Sequence, residues 1–231
     1  ETAEFRCIPD ERTSHCECDL TMEMSKGRLT RIFSKIPTLE TQRLTLRKLL
    51  PEDYRDMFEY ASLERVTEYL LWSPHQSPDQ TYRYLESLQN SYRRGEFFDW
   101  AVVLRTTGKM IGTCGFTSFE LSHARAEVGY VLNPAFWGQG IAKEAVMAVT
   151  SFAFSELGMN RVEAHYIEGN ERSLHVMQAC GMEFEGMFRQ YMLIKGRFRN
   201  IGICAVTADR FPKEIFYGKK PSVGWLRRRF M

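Results

Sequence analysis

Two hydrophobic periods meet in the middle of this chain. Val128, Tyr130 and Leu132 take every second position against Glu127, Gly129 and Val131, which predicts a half-buried strand. Pro134, lacking an N–H, ends its ladder. From Ala142 the spacing changes. Ala142, Val146, Val149, Ala153 and Leu157 recur at three or four residues, the buried stripe of a helix, and Gly158 suits its left-handed cap. Between strand and helix, Gly138 and Gly140 leave the backbone uncovered, so the first N–H groups of the helix face outward along the positive end of its dipole. This pattern predicts a cradle for a pyrophosphate, and its plain alternative is a tight strand-to-helix turn.

The same reading places further elements. Trp100 to Phe119 reads as two apolar strands joined at Thr107-Gly108-Lys109. A helix is expected from Asp79 to Arg94, a strand and loop from Arg161 to Ser173, and a helix from Asn170 to Cys180 closed by Gly181.

The loop has neither the Lys-Ser/Thr pair of a Walker A loop nor three dinucleotide-binding glycines. WGQGIA, from Trp137 to Ala142, instead resembles the Q/R-x-x-G-x-G/A motif of the GCN5-related N-acetyltransferases, the GNAT superfamily. Trp137 stands where that motif has Gln or Arg, a departure shared with the RimJ/RimL-like ribosomal-protein N-terminal acetyltransferases, whose loops look like W-G-K-G-x-A. Asn170 and Ser173 resemble the family's N-x-x-S. GMEFEG, from Gly181 to Gly186, is similar to its G-F-x-x-E-G, with Met182 for Phe. The resemblance covers residues 38 to 211, about three quarters of the chain.

What the resemblance implies is a single α+β domain with a mixed, mostly antiparallel twisted sheet and helices on both faces. It implies acetyl-CoA as co-substrate, held by Trp137, Gly138, Gln139, Gly140, Ile141 and Ala142. Val131 and Leu132 would run beside the pantetheine arm and Asn170 and Ser173 alongside it, with the strands parting after Tyr130 to present an oxyanion site. Glu127 matches the strand glutamate that serves as base in histone-acetylating members, against a structural ion pair as its ordinary reading. His165 is the rival, at the position where RimI-type enzymes carry a glutamate, with an outward-facing strand histidine as its ordinary reading; His175 reads as a helix-face residue. The family's proton-donating tyrosine falls at Met177, so Ser173 is the substitute donor, with helix capping as its ordinary reading and water as the other donor.

At 231 residues, 44% hydrophobic and 26% charged, the chain suits one domain with extensions. With no membrane-length apolar run, a soluble cytoplasmic protein is expected. A net charge of +2 does not suggest a nucleic-acid surface over the whole molecule. Cys114, Cys180 and Cys204 fall in apolar contexts and read as core thiols. Cys7, Cys16 and Cys18 lie near His15, but the single residue between Cys16 and Cys18 does not match zinc knuckles, so no metal is expected. Residues 1–36 read as a polar extension, with Met22 or Met24 as alternative starts, residues 37–211 as the acetyltransferase domain, and 212–231 as a tail with six Lys/Arg against one acidic residue. A solvated tail, a homodimer contact and a ribosome contact are the tail's three readings.

The acceptor is expected to be an amine. A protein N-terminus, ribosomal in the narrower reading, is favoured because an α-amine loses its proton at pH 7 for about 1 kcal/mol and a lysine for about 4.6 kcal/mol. A small amine (antibiotic, polyamine or amino-acid derivative) is the alternative, and a non-catalytic acetyl-CoA sensor or scaffold is a third. Trp72, Pro74, His75 and the helix from Asp79 are expected to border the acceptor.

Overall fold

The computed structural model describes residues 24–212; the cysteines at 7, 16 and 18 and residues 213–231 of the basic tail lie outside them. Eight strands form one sheet in the order β1-β2-β3-β4-β5-β6-β8-β7: β1 Leu39–Glu40, β2 Leu44–Arg47, β3 Asp99–Leu104, β4 Met110–Glu120, β5 Arg125–Leu132, β6 Arg161–Ile167, β7 Glu183–Ile194 and β8 Arg197–Thr207. Only β5 and β6 pair in parallel; the other neighbours are antiparallel, giving the mixed α+β sheet. The helices are α1 Lys26–Phe33, α2 Tyr54–Ala61, α3 Glu64–Thr67, α4 Pro78–Arg94, α5 Ile141–Ser155 and α6 Glu171–Ala179.

Alternation along the strands divides the core between the two faces. Trp100, Val102, Ile111, Cys114, Phe116, Ala126, Val128 and Leu132 face a large core shared with α1 and α5. Ala101, Val103 and Met110 face the other side, against Met57 and Tyr60 of α2 and Leu85, Leu88 and Tyr92 of α4. Helix α4 shows how local residues delimit an element. The Ser77 side chain accepts from the Gln80 N–H, Pro78 occupies the first turn, and Gly95 closes the end at φ +66°. A Cβ on Gly95 would run into the Thr30 carbonyl of α1, so this cap is also a close helix–helix approach.

Helix α1 lies within the stretch expected to be an appendage, yet it packs into the core. Phe33 is completely buried, with ring centroids 4.8 Å from Phe98, 5.6 Å from Trp100 and 6.4 Å from Phe152. Met24 and Leu29 are buried beside it. Its apolar stripe is only two turns long and is interrupted by Lys26, Arg28 and Arg31, which made it read as polar. Residues 24–36 therefore pack with the domain, a correction to the boundary drawn at residue 36. Cys114, Cys180 and Cys204 are buried free thiols. Among the described residues, no helix is long and apolar enough to cross a membrane, and no cluster of three or more His, Cys, Asp or Glu is placed to hold a metal.

Candidate active site

Strand β5 gives way to α5 through a loop whose geometry is locally determined. The Asn133 side chain accepts from the Ala135 N–H at 3.0 Å, Pro134–Phe136 makes one 3-10 turn, and the Trp137 indole N–H returns to the Leu132 carbonyl at 2.8 Å. Gly138 and Gly140 have φ of +73° and +72°, conformations that side chains disfavour. A Cβ on Gly138 would meet nothing within 4 Å, and one on Gly140 would meet only Arg43 Nη2, at 3.6 Å. The glycines thus serve backbone conformation while leaving open space over the loop. Ile141 is buried and Ala142 packs against the core, so both offer the space backbone N–H groups rather than side chains.

A distant strand clamps this loop. From the turn before β2, Arg43 donates Nη1–H to the Gln139 carbonyl at 2.9 Å and Nε–H to Glu144 Oε2 at 2.6 Å. Thr41 Oγ1 and the Arg43 backbone N–H both donate to Glu144 Oε1, at 2.6 and 2.8 Å. Burial pushes the Glu144 carboxyl up, but these hydrogen bonds and the guanidinium outweigh it and hold the carboxyl below its usual range. Sequence reading missed Arg43, which lies about a hundred positions from the loop.

Beyond the loop, the sheet opens. β5 pairs with β6 only from Arg125↔Arg161 to Glu127↔Glu163. β5 then stays with β4 as far as Leu132↔Gly112, while β6 follows β8 to Ile167↔Ile201. The parting begins three residues before the expected point after Tyr130, because the two strands follow different neighbours once Glu127 is passed. Val131 and Leu132 lie on this parted length, their other edge joined to β4. Across the gap, Asn170 caps α6 by accepting from the Ser173 N–H at 3.3 Å. The Ser173 hydroxyl lies 2.8 Å from the hydroxyl of Tyr130, a residue the sequence reading treated only as a strand position. Met177 is buried and has no proton to give, and His175 is exposed on the helix face.

On the sheet face away from α5, a cleft of about 670 Å³ opens between β5, β6 and β7. Glu127, Glu163 and His165 form its floor; Glu185, Phe188 and Tyr191 rise from β7. Glu127 and His165, rivals in the sequence, are neighbours: Glu127 Oε1 is 3.4 Å from His165 Nδ1, and Ser118 Oγ donates to Glu127 Oε2 at 3.2 Å. His165 Nε2 lies 3.5 Å from Glu163 Oε1, is shielded from solvent and has no hydrogen-bond partner. Arg161 reaches Glu163 at 3.0 Å and grips Glu185 through two hydrogen bonds of 2.7 and 2.5 Å, while Arg125 lies 3.6 Å from Glu163. The Arg161 hydrogen bonds hold the Glu185 carboxyl below its usual range. Glu127 has no lysine or arginine partner among the described residues.

Trp72, Pro74 and His75 do not line this cleft. The Trp72 and His75 rings lie tilted against each other with centroids 5.4 Å apart, and His75 Nδ1 lies 2.8 Å from Thr81 Oγ1 of α4, forming a separate cluster. The burial that packs His75 there lowers its pKa.

Residues 43–183 match the family model of the acetyltransferase (GNAT) domain. The chain is 33% identical over 164 residues to an uncharacterized N-acetyltransferase p20 of Bacillus licheniformis, covering 71% of this chain and 92% of that protein. It is 27% identical to a putative ribosomal N-acetyltransferase YdaF of Bacillus subtilis (strain 168), covering 69% and 88%. It is also 24% identical to a spermidine N(1)-acetyltransferase of Vibrio cholerae serotype O1, covering 69% and 90%.

Proposed function

We propose, from the premise that this chain belongs to the GNAT acetyltransferase family, that it acetylates the α-amino group of a protein N-terminus. The chain is an N-acetyltransferase, and its family uses acetyl-CoA as co-substrate. One observation carries the choice of acceptor. In the cleft, Arg125 and Arg161 answer Glu163 and Glu185, which leaves Glu127 as the carboxylate free to meet a cation. One free carboxylate suits one ammonium group. A polyamine would bring several positive charges to a cleft that has already neutralised its other two acids.

In this reading the pyrophosphate rests on the N–H groups from Gly138 to Ala142, with Trp137 and Gln139 holding the loop in shape. The pantetheine arm follows Val131 and Leu132 along the parted edge of β5, beside Asn170 and Ser173, and brings the thioester to the opening above Glu127. Glu127, steadied by Ser118 and neighboured by His165, takes the ammonium proton, and the nitrogen lone pair attacks the carbonyl carbon. Backbone N–H groups exposed by the parting receive the oxyanion. Ser173 gives a proton to the departing sulfur. An α-amine at pH 7 costs about 1 kcal/mol to deprotonate, a demand one carboxylate can meet, whereas a lysine costs about 4.6 kcal/mol.

A ribosomal protein is the narrower form of this acceptor, supported by the description of the Bacillus subtilis relative. Turnover on three acceptors tests the proposal: a lysine-free peptide with a free N-terminus, the same peptide N-blocked with one lysine added, and spermidine. The free α-amine is expected to have the highest kcat/KM. A preference for the blocked peptide or for spermidine would overturn it.

A further inference from the structure

The departing sulfur of coenzyme A needs a proton, and Met177, where the resemblance to the family would put a proton-donating tyrosine, is buried and has none to give. Two hydroxyls stand at the gap instead. Tyr130 lies on the parted length of β5, and its hydroxyl reaches α6, 2.8 Å from Ser173 Oγ and 3.0 Å from the Ser173 carbonyl oxygen. One phenolic hydrogen can serve only one of these acceptors well. When it points at the carbonyl, the Ser173 proton is drawn toward the phenol oxygen; when it points at Oγ, the Ser173 proton is released to another acceptor.

We propose that Tyr130 is the positioning residue for proton delivery to the leaving sulfur: its hydroxyl turns from the Ser173 carbonyl to Ser173 Oγ and thereby frees the serine proton. The inference rests on the reading that places the thioester in the gap between β5 and α6. As the tetrahedral adduct collapses, the C–S bond breaks and its electron pair stays on sulfur. Sulfur takes the Ser173 hydroxyl proton, and the Tyr130 hydrogen bond stabilises the serine oxygen as it gives that proton up. Solvent restores the serine proton. The acceptor nitrogen releases two protons by way of Glu127 to solvent, the ammonium proton before attack and a second as the adduct becomes the amide; one matches the proton that restores Ser173 and the other is the net proton of the reaction, so the exchange balances. Burial pushes the Tyr130 phenol above its usual range, against a smaller opposite effect of the Ser173 hydrogen bond. The phenol therefore stays protonated, and Tyr130 directs a proton rather than supplying one.

The test uses Tyr130→Phe, Ser173→Ala and their double variant, with kcat from turnover and acetyl-CoA affinity from calorimetry. Ser173→Ala is expected to lower kcat about 100-fold and Tyr130→Phe about tenfold, with the double variant no worse than Ser173→Ala, because the two hydroxyls act as one unit. Acetyl-CoA Kd should stay within about twofold in Tyr130→Phe. Ser173→Thr, which keeps a hydroxyl, should retain most of kcat and lose about tenfold when Tyr130→Phe is added. If Tyr130→Phe melts earlier, that Thr pair is read on the folded fraction. Parental kcat in Tyr130→Phe, or losses that multiply in the double variant, overturns the inference while leaving the acetyl-CoA reading intact. Failure of the parent to bind acetyl-CoA, or equal binding by Gly140→Asp, overturns the reading of the gap and this inference with it.

Discussion

The two ends of β5 solve their problems differently. At its C-terminal end, seven consecutive residues from Gly138 to Glu144 build the loop and first turn of α5 from positive φ, unpaired N–H groups and an acidic side chain in the first turn. At its N-terminal end, the cleft takes Glu127 from β5, Ser118 from β4, Glu163 and His165 from β6, and Glu185 from β7. The loop is an object of contiguous chain, needing from elsewhere only the Arg43 clamp. The cleft is an object of strand register. Damage to the loop should therefore change affinity for acetyl-CoA alone, and damage to the cleft should change turnover alone.

The largest separation is expected from Glu127→Gln, which keeps shape and removes the base. At pH 7 kcat should fall about 10²–10⁴-fold, about 2.7–5.4 kcal/mol, with acetyl-CoA Kd unchanged. Unchanged turnover would move the base role to His165 or water, and a parallel His165→Gln measurement would tell those apart.

Phe33→Ala strikes the packing that both regions share. Its cavity should cost about 3–5 kcal/mol in denaturant unfolding, while the folded protein keeps its acetyl-CoA affinity and kcat. A selective loss of either function with little change in stability would show that α1 supports one region rather than the domain. By the same argument, removing residues 1–36 should destabilise the protein, since that deletion takes Phe33 with it.

Gly140→Asp should weaken acetyl-CoA binding about 10- to 100-fold, about 1.4–2.7 kcal/mol, through an unfavourable φ and a like charge facing the pyrophosphate. Calorimetry that finds parental affinity would sink the cradle. Acceptor KM should stay as in the parent.

The smallest effect concerns the first residue of β3. Burial pushes the Asp99 carboxyl up to about 7, against hydrogen bonds from Thr113 and the Trp100 N–H. A carboxyl with a raised folded pKa keeps its proton where the unfolded chain has lost it. Stability should then decline as pH rises from about 4 to 7 and level off above. Asp99→Asn should flatten that slope in melting temperature without touching either end of β5. A slope unchanged by the substitution would assign it to other groups.

Much of the scaffold was legible without coordinates, and for a local reason. The alternation from Val128 to Leu132, the helical stripe from Ala142 and the two left-handed glycines each express interactions within a few residues, so their geometry is written where they stand. The same holds for Asn170 as the cap of α6 and Gly181 at its end. Helix α1 escaped because its apolar stripe has only two turns, and its partners Phe98, Trp100 and Phe152 lie more than sixty positions away.

The site's chemistry depended on what no local pattern encodes. Glu127 and His165 were separate candidates in the sequence, and the Glu127↔Glu163 register made them neighbours, whereas a one-residue slip would send His165 to the opposite face. The early parting of β5 and β6, the reach of Tyr130 to Ser173 and the grip of Arg43 on Gln139 are likewise choices among distant partners. By itself the sequence determined the family, the strand, glycine loop and helix from β5 to α5, and helix α6, since backbone preference and hydrophobic period act over a few residues. The cleft around Glu127 and the meeting of Tyr130 with Ser173 were decided by tertiary structure, since strand register and parting are settled only when the whole sheet closes against its two cores.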